Sequence, residues 1–189
     1  GDLALVGVQQ MILGSDLPDD RARRSLRILG NAMTVTLGGE LLDIIHGAEP
    51  GAATGERVRD ASWMKTSVYT FEALQLGAMV AGRDEEPMVP IGRDLGRAYQ
   101  AADDLAGVFG DTADTGKVAA GDIARGRSTL VTMRDGDDAD VIAEVIAEGT
   151  DYLDRARAAI AAAGLPHEVA SGLRDVADSI EGSLVRHGR

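Results

Sequence analysis

The chain has 189 residues and a formal net charge of -12, with no cysteine and few aromatic side chains. The length favours one domain around one core, and the charge argues against a nucleic-acid partner, because a phosphate backbone needs a basic protein face. The lack of cysteine excludes disulfides and thiolate metal sites, and His46, His167 and His187 show no metal-ligand spacing. No apolar run approaches the roughly 20 residues that span a bilayer, so we expect a cytoplasmic protein without a transmembrane segment.

Hydrophobic periodicity predicts an all-α bundle of long helices with short connections. In chain order the predicted helices are 2–13, 18–46, 56–81, 91–109, 139–163 and 166–185. Two glycine-rich segments, 47–55 and 110–129, are predicted to be irregular. Glycines inside the helices, among them Gly30, Gly39 and Gly77, are expected to let neighbouring helices approach closely, because each one lowers helix stability by about 1 kcal/mol relative to alanine.

The stretch from Tyr99 to Lys117, YQAADDLAGVFGDTADTGK, carries the strongest chemical signal. Gln100 lies one helical turn before Asp103 and Asp104, so the three side chains share a face. Two adjacent carboxylates near a helix end either face solvent or share a cation, and Mg²⁺ typically binds one or two carboxylates together with substrate phosphate oxygens. An aspartate pair alone is weak evidence, since other such pairs in the chain sit at helix starts, where capping explains them.

The charged residues that follow the aspartate pair strengthen the metal interpretation. Asp111, Lys117 and Arg127 all lie in the glycine-rich segment 110–129. The chain has two lysines against seventeen arginines, and a compact ammonium can approach a single phosphate oxygen. Acids interleaved with cations suggest a clamp for a metal-bound diphosphate. The other lysine, Lys65, and its neighbour Thr66 could reach the same anion from a facing helix.

Together these segments resemble the trans-polyprenyl diphosphate synthase family, most closely its actinobacterial type. The matching segments are Lys65-Thr66 with YTFEALQLGA, then YQAADDLAGVFGD with TGK, and GRSTL; GGELLDII at 38–45 resembles the Gly-Gln-x-Leu-Asp segment of the family. The resemblance covers most of residues 1–130. It implies an isoprenoid synthase-like helical bundle around a central cavity, and a homodimer.

The resemblance also implies an activity. A Mg²⁺-dependent prenyltransferase of this family condenses an allylic prenyl diphosphate with isopentenyl diphosphate, releases pyrophosphate and forms a longer linear polyprenyl diphosphate. Metal ions and cationic side chains stabilise the departing pyrophosphate. Carried over by position, three aspartates resemble metal-binding residues: Asp103, Asp104 and Asp111. Five other residues resemble contacts of the diphosphate, and the two lysines among them are the catalytic cations: Lys65, Thr66, Gln100, Lys117 and Arg127.

The chain departs from the family pattern in several places. The first aspartate-rich motif and most of the isopentenyl diphosphate site would precede Gly1. We therefore expect residues 1–189 to form a single all-α domain that is the C-terminal portion of a longer synthase domain. Glu40 stands where glutamine is usual, and Arg127 where lysine is common. Two alternatives stay open: a catalytically inert regulatory or binding subunit of a prenyl synthase, and a class I terpene cyclase.

Overall fold

The computed structural model describes residues 2–48, 55–109, 129, 131, 132, 134 and 136–187. These residues contain α-helices and no strand, so the predicted all-α fold is confirmed. Between the third and fourth helices, Trp63–Ser67 forms one turn of π-helix, called the π turn below. The helices are α1 Asp2–Leu13, α2 Asp19–Ala48, α3 Gly55–Ser62, α4 Val68–Val80, α5 Met88–Phe109, α6 Asp138–Ala162 and α7 His167–His187.

The helix bounds follow local sequence signals with one exception. Helices α1, α2, α5, α6 and α7 begin and end within three residues of their predicted bounds. The start of α6 is fixed by capping, since the side chain of Asp137 accepts a hydrogen bond from the backbone N–H of Asp140 at 3.0 Å. The predicted helix 56–81 is instead divided into α3, the π turn and α4. A π turn bonds residue i to i+5, so it adds one residue and shifts the phase of the hydrophobic pattern, a shift that the prediction of one continuous helix did not take into account.

Helix α5 is the centre of the core and packs against α4, the π turn, α6 and α7. Its large side chains Ile91 and Leu95 are almost fully buried. Small residues let the neighbouring helices come close. A Cβ placed on Gly149 of α6 would lie 2.8 Å from a terminal methyl carbon of Leu184 and 3.4 Å from the Cβ of Ala101. The missing side chain at this position therefore lets α5, α6 and α7 meet.

The internal glycines of α2 and α4 do not all serve helix packing. A Cβ on Gly39 would lie 2.6 Å from the backbone nitrogen of Lys65 and 2.8 Å from the Cβ of Met64. Real Cβ contacts are not this short, so glycine lets α2 lie directly against the π turn. At Gly30 and Gly77, no atom of another described element lies within 4 Å of such a Cβ. The expectation of close helix approach is thus correct at Gly39 and wrong at these two positions.

Helices α1 and α2 leave apolar side chains exposed. On α2 the exposed residues are three or four positions apart and form a continuous row, called the apolar stripe below: Leu37, Leu41, Ile44 and Ile45. The stripe is separate from the face of α2 that packs inward through buried Leu29 and Ala32. On α1 the side chains of Leu3 and Met11 are also largely exposed. Helix α2 therefore has two apolar faces, of which one is covered by the described part of the bundle.

Helix α2 also qualifies the expectation that no apolar run is long enough to span a bilayer. By length and composition, Asp19–Ala48 could cross a membrane. A helix in the core of a water-soluble protein passes the same test, and α2 packs against the π turn and α4. The length of α2 is therefore weak evidence for a membrane span.

One acidic side chain is buried away from the charged surface. Glu72 of α4 is 7% exposed, and its Oε1 atom has no hydrogen-bond partner within the part of the chain that the structure describes. Burial raises the pKa of Glu72 from 4.5 to about 7, because a carboxylate loses hydration there. Between these two pH values the folded protein keeps a proton that the unfolded chain has lost. The contribution of Glu72 to the free energy of unfolding therefore falls as the pH rises from 4.5 to about 7.

Replacing Glu72 by Gln should remove this pH dependence. Between pH 4.5 and pH 8, we expect the wild type to lose about 2–3 kcal/mol more free energy of unfolding than the variant. Urea unfolding at both pH values measures it. Glu168→Gln is the control, because Glu168 is exposed in the first turn of α7. An equal pH dependence in wild type and Glu72→Gln would contradict the prediction.

Substituting alanine at two glycines of α2 should have opposite effects. Gly39→Ala places a methyl group against backbone atoms of the π turn, so we expect a loss of about 1–3 kcal/mol in the free energy of unfolding. Gly30→Ala meets no atom of another element within 4 Å in the described part of the chain, and it should increase the free energy of unfolding by up to about 1 kcal/mol through helix propensity. Thermal and urea unfolding of both variants measure the effect. Equal stability of the two would show that the close contact at Gly39 is absent.

Candidate functional site

A polar cavity of about 140 Å³ lies between α2, α3 with the π turn, and the C-terminal half of α5. Five of the residues predicted from the sequence line it together: Lys65, Thr66, Gln100, Asp103 and Asp104. The rest of the wall that the structure describes is formed by Asp43, His46, Val58, Ala61, Ser62 and Thr129. The other predicted residues, Asp111, Lys117 and Arg127, lie outside the described residues. The structure thus brings two distant sequence segments to one cavity.

The π turn carries Lys65 and Thr66 to the cavity wall. Single π turns inside α-helices often occur at functional sites, where the wider turn changes the direction of its side chains. The contact at Gly39 brings α2 against the backbone of this turn. The acidic residues that follow Gly39 along α2 are therefore held close to Lys65.

Two carboxylates of α2 contact the ammonium of Lys65. Its Nζ donates a hydrogen bond to Oδ2 of Asp43 at 2.9 Å and lies 3.4 Å from Oε2 of Glu40. Burial lowers the pKa of Lys65, but the hydrogen bond and charge of Asp43, followed by those of Glu40, outweigh burial and leave this pKa above its ordinary value. Lys65 is therefore a permanent cation at neutral pH.

On α5, an amide side chain holds one of the two adjacent aspartates. Nε2 of Gln100 donates a hydrogen bond to Oδ1 of Asp104 at 2.6 Å, which bears out the expectation that these residues share a helix face. Asp104 is 4% exposed, whereas Asp103 is half-buried at the cavity wall. The aspartate pair therefore presents one carboxylate that is fixed by the core and one that is more open to a ligand.

The donor set fits a metal ion that is shared with a ligand. Within the described ranges, no group of three or more histidine, aspartate or glutamate side chains is arranged to hold a metal ion. Asp103 and Asp104 supply two carboxylates at the cavity. Mg²⁺ commonly takes one or two carboxylates and completes its shell with substrate phosphate oxygens and water. The described residues therefore suit a metal bound jointly with a phosphorylated ligand better than a metal bound by protein alone.

Sequence reasoning gave no role to six residues of the described cavity wall, of which three bear on the chemistry. Asp43 and His46 lie one turn apart on α2, and Thr129 is 8% exposed. The backbone N–H of Thr129 donates to Oγ1 of Thr132 at 2.8 Å. The spacing from Gly39 through Asp43 to His46 places all three on neighbouring helical faces, which was the available signal. It could be interpreted only once the partner of α2 was known.

A second cavity of about 190 Å³ adjoins the first and shares Ser62 and Gln100 with it. The guanidinium of Arg97 lies there, 5.5 Å from the centre of the Tyr152 ring. The Tyr152 hydroxyl donates to Glu148 at 3.1 Å. Arg97 precedes Gln100 by three residues on α5, so the polar face of this helix continues beyond the first cavity.

Comparison with known proteins gives the same family as the sequence motifs. The family model described as "Polyprenyl synthetase" matches residues 1–163. A geranylgeranyl diphosphate synthase of Mycobacterium tuberculosis is 33% identical over 112 residues, covering 58% of this chain and 32% of that protein. A (2E,6E)-farnesyl diphosphate synthase of Mycobacterium bovis is 29% identical over 133 residues, covering 69% of this chain and 36% of that protein.

Solved structures are similar over almost the whole chain. The geranylgeranyl pyrophosphate synthase of Corynebacterium glutamicum, complexed with isoprenyl diphosphate and magnesium, superposes with a TM-score of 0.84 at 26% identity, covering 96% of this chain and 61% of that one. A polyprenyl synthase of Caulobacter crescentus, complexed with calcium and isoprenyl diphosphate, gives 0.72 at 25% identity, covering 84% and 58%. The chain thus spans about a third of the curated relatives and about three fifths of these structures. From the family match and the shared fold, the chain belongs to the polyprenyl synthetase family.

Proposed function

We propose that the intact protein is a Mg²⁺-dependent prenyltransferase that condenses an allylic prenyl diphosphate with isopentenyl diphosphate. It releases pyrophosphate and forms a longer linear polyprenyl diphosphate. The observation that carries the proposal is the convergence of Lys65, Thr66, Gln100, Asp103 and Asp104 on one cavity. The names of the relatives, geranylgeranyl and farnesyl diphosphate synthases, support the substrate class.

The cavity residues have distinct tasks in this reaction. Lys65 and Thr66 bind the allylic diphosphate, and the ammonium stabilises the negative charge that grows on the leaving oxygen as the bond to the allylic carbon breaks. Bound Mg²⁺ would neutralise diphosphate oxygens beside Asp103 and Asp104. Gln100 keeps the Asp104 carboxylate oriented through its 2.6 Å hydrogen bond. The double bond of isopentenyl diphosphate then attacks the allylic carbon, and loss of a proton completes the new chain.

Three further residues complete the proposed site. Lys117 and Arg127 are assigned to the diphosphate and Asp111 to the metal, on the strength of the family resemblance. Magnesium and calcium accompany isoprenyl diphosphate in two of the similar structures, which supports a divalent cation as cofactor. We also expect the protein to be cytoplasmic and its substrates to be small-molecule diphosphates.

Asp103→Ala should lower the rate of condensation in the intact protein by about 100-fold or more, because a carboxylate assigned to the Mg²⁺ that would hold the departing diphosphate is lost. Incorporation of radiolabelled isopentenyl diphosphate into extractable product measures this rate. Asp175→Ala, at an exposed position of α7, is the control and should keep the wild-type rate.

The product and the wild-type activity separate the alternatives. A longer linear diphosphate is expected, whereas a released hydrocarbon would favour a terpene cyclase. An intact wild-type protein that is inactive alone and co-purifies with a longer relative would favour a regulatory subunit. Near-normal turnover of Asp103→Ala would contradict the assignment of this aspartate.

We also propose that the protein is a homodimer in which the apolar stripe of α2 is covered by a second copy. Leu37, Leu41 and Ile44 are each more than half exposed. A continuous row of large exposed aliphatic side chains is uncommon on a monomer surface and typical of an interface. A two-fold arrangement would bring the same stripe of each copy together.

Leu41→Glu should convert the dimer to a monomer, because a carboxylate would be buried without a partner at the interface. Light scattering coupled to size-exclusion chromatography measures the mass of the intact protein. Val176→Glu is the matched control, because Val176 is exposed on α7, away from the stripe. A monomeric wild type, or an unchanged mass for Leu41→Glu, would refute the interface.

A further inference from the structure

The two carboxylates that contact Lys65 differ in position. Asp43 lines the cavity, and its side chain is 25% exposed. Glu40 is not among the residues that line the cavity, and its side chain is 44% exposed. Asp43 therefore attracts the ammonium from inside the cavity, whereas Glu40 attracts it from the outer side.

The contact with Glu40 is the looser of the two. Its Oε2 atom lies 3.4 Å from Nζ of Lys65, against 2.9 Å for Oδ2 of Asp43. A half-exposed ion pair of this length adds little to folding stability. Asp43 and the packing of α2 on the π turn also hold Lys65 in place. The charge of Glu40 therefore acts mainly on what else Lys65 can bind.

The described lining of the cavity also carries more carboxylates than cations. Asp43, Asp103 and Asp104 line it, and Lys65 is the cation among its described lining residues. An ammonium has three donor hydrogens, and one already bonds to Asp43. Glu40 lies within reach of a second donor, which is then less available to an incoming diphosphate, and the charge of Glu40 repels that anion. Both effects weaken the binding of an anion.

We propose that Glu40 is a positioning residue that draws the ammonium of Lys65 toward the outer edge of the cavity and so lowers the affinity of the site for a diphosphate group. The inference rests on the proposed function, because it concerns the same cavity and ligand class. Glu40 competes with the diphosphate for Lys65, and it recaptures the ammonium when pyrophosphate leaves. Glu40 thereby weakens the binding of the diphosphate and speeds the release of the pyrophosphate product.

The ammonium of Lys65 can be observed directly by NMR spectroscopy. In the labelled intact protein, side-chain ¹⁵N–¹³C correlation spectra resolve the lysine signals, and the signal that is lost in Lys65→Arg belongs to Lys65. The pKa of Lys65 should be lower in Glu40→Gln than in the wild type, and Glu40→Asp should lie between the two. An unchanged pKa of Lys65 in Glu40→Gln would overturn the proposal without the need for any ligand.

Affinity is tested with inorganic pyrophosphate in the presence of Mg²⁺ by calorimetry on the intact protein. Glu40→Gln should lower the Kd by about three- to tenfold, as expected for removing one charge several ångströms from the anion. Glu168→Gln removes the same charge from exposed α7 and should leave the Kd unchanged. Stopped-flow measurement should find slower release of pyrophosphate from Glu40→Gln.

The outcomes separate this inference from the function it rests on. A wild type that binds pyrophosphate, with no gain in Glu40→Gln, refutes the role of Glu40 and leaves the proposed function intact. A wild type that binds no pyrophosphate with Mg²⁺ refutes the proposed function and the affinity role of Glu40 together. A comparable gain in Glu168→Gln would show that net charge, and not the position of Lys65, sets the affinity.

Discussion

The contact between Gly39 and the π turn determines where the charges of the candidate site lie. Without a side chain at this position, the backbone of α2 rests on the backbone of Lys65. Asp43 follows one turn later and is therefore within hydrogen-bonding distance of the ammonium. A helix that packed a few ångströms farther away would leave Lys65 without these carboxylates. The electrostatics of the cavity thus follow from a steric condition on one residue.

Helix α5 contributes side chains both to the hydrophobic core and to the candidate site. One side of it packs through small and branched residues such as Ala98 and Leu105, which are fully buried. The other side presents Gln100 and Asp103 to the cavity. Asp104 belongs to both, since it is buried and yet bonded to Gln100. Groups on a helix that is packed on several sides are held more firmly than groups on a loop, so this wall of the site is preorganised.

Local features of the site and fold were predictable from the sequence, whereas features that depend on packing were not. The bounds of five of the seven described helices follow from local sequence signals, and the shared face of Gln100 and Asp104 follows from helical spacing. The roles of Gly39 and Gly30 differ although both are interior glycines of α2, because only the first has a neighbour. Asp43 likewise became a site residue through a contact with Lys65, 22 positions away. Such contacts are set by tertiary structure.

The π turn has a consequence for how chains of this kind can vary in length. A turn that bonds i to i+5 takes up one residue more than a turn that bonds i to i+4. The extra residue within Trp63–Ser67 is absorbed locally, and α3 and α4 continue on either side of it. A relative that lacks one residue here could form an unbroken α-helix with its outer faces still packed as before. In an ordinary helix, the same deletion would rotate everything beyond it by about 100°.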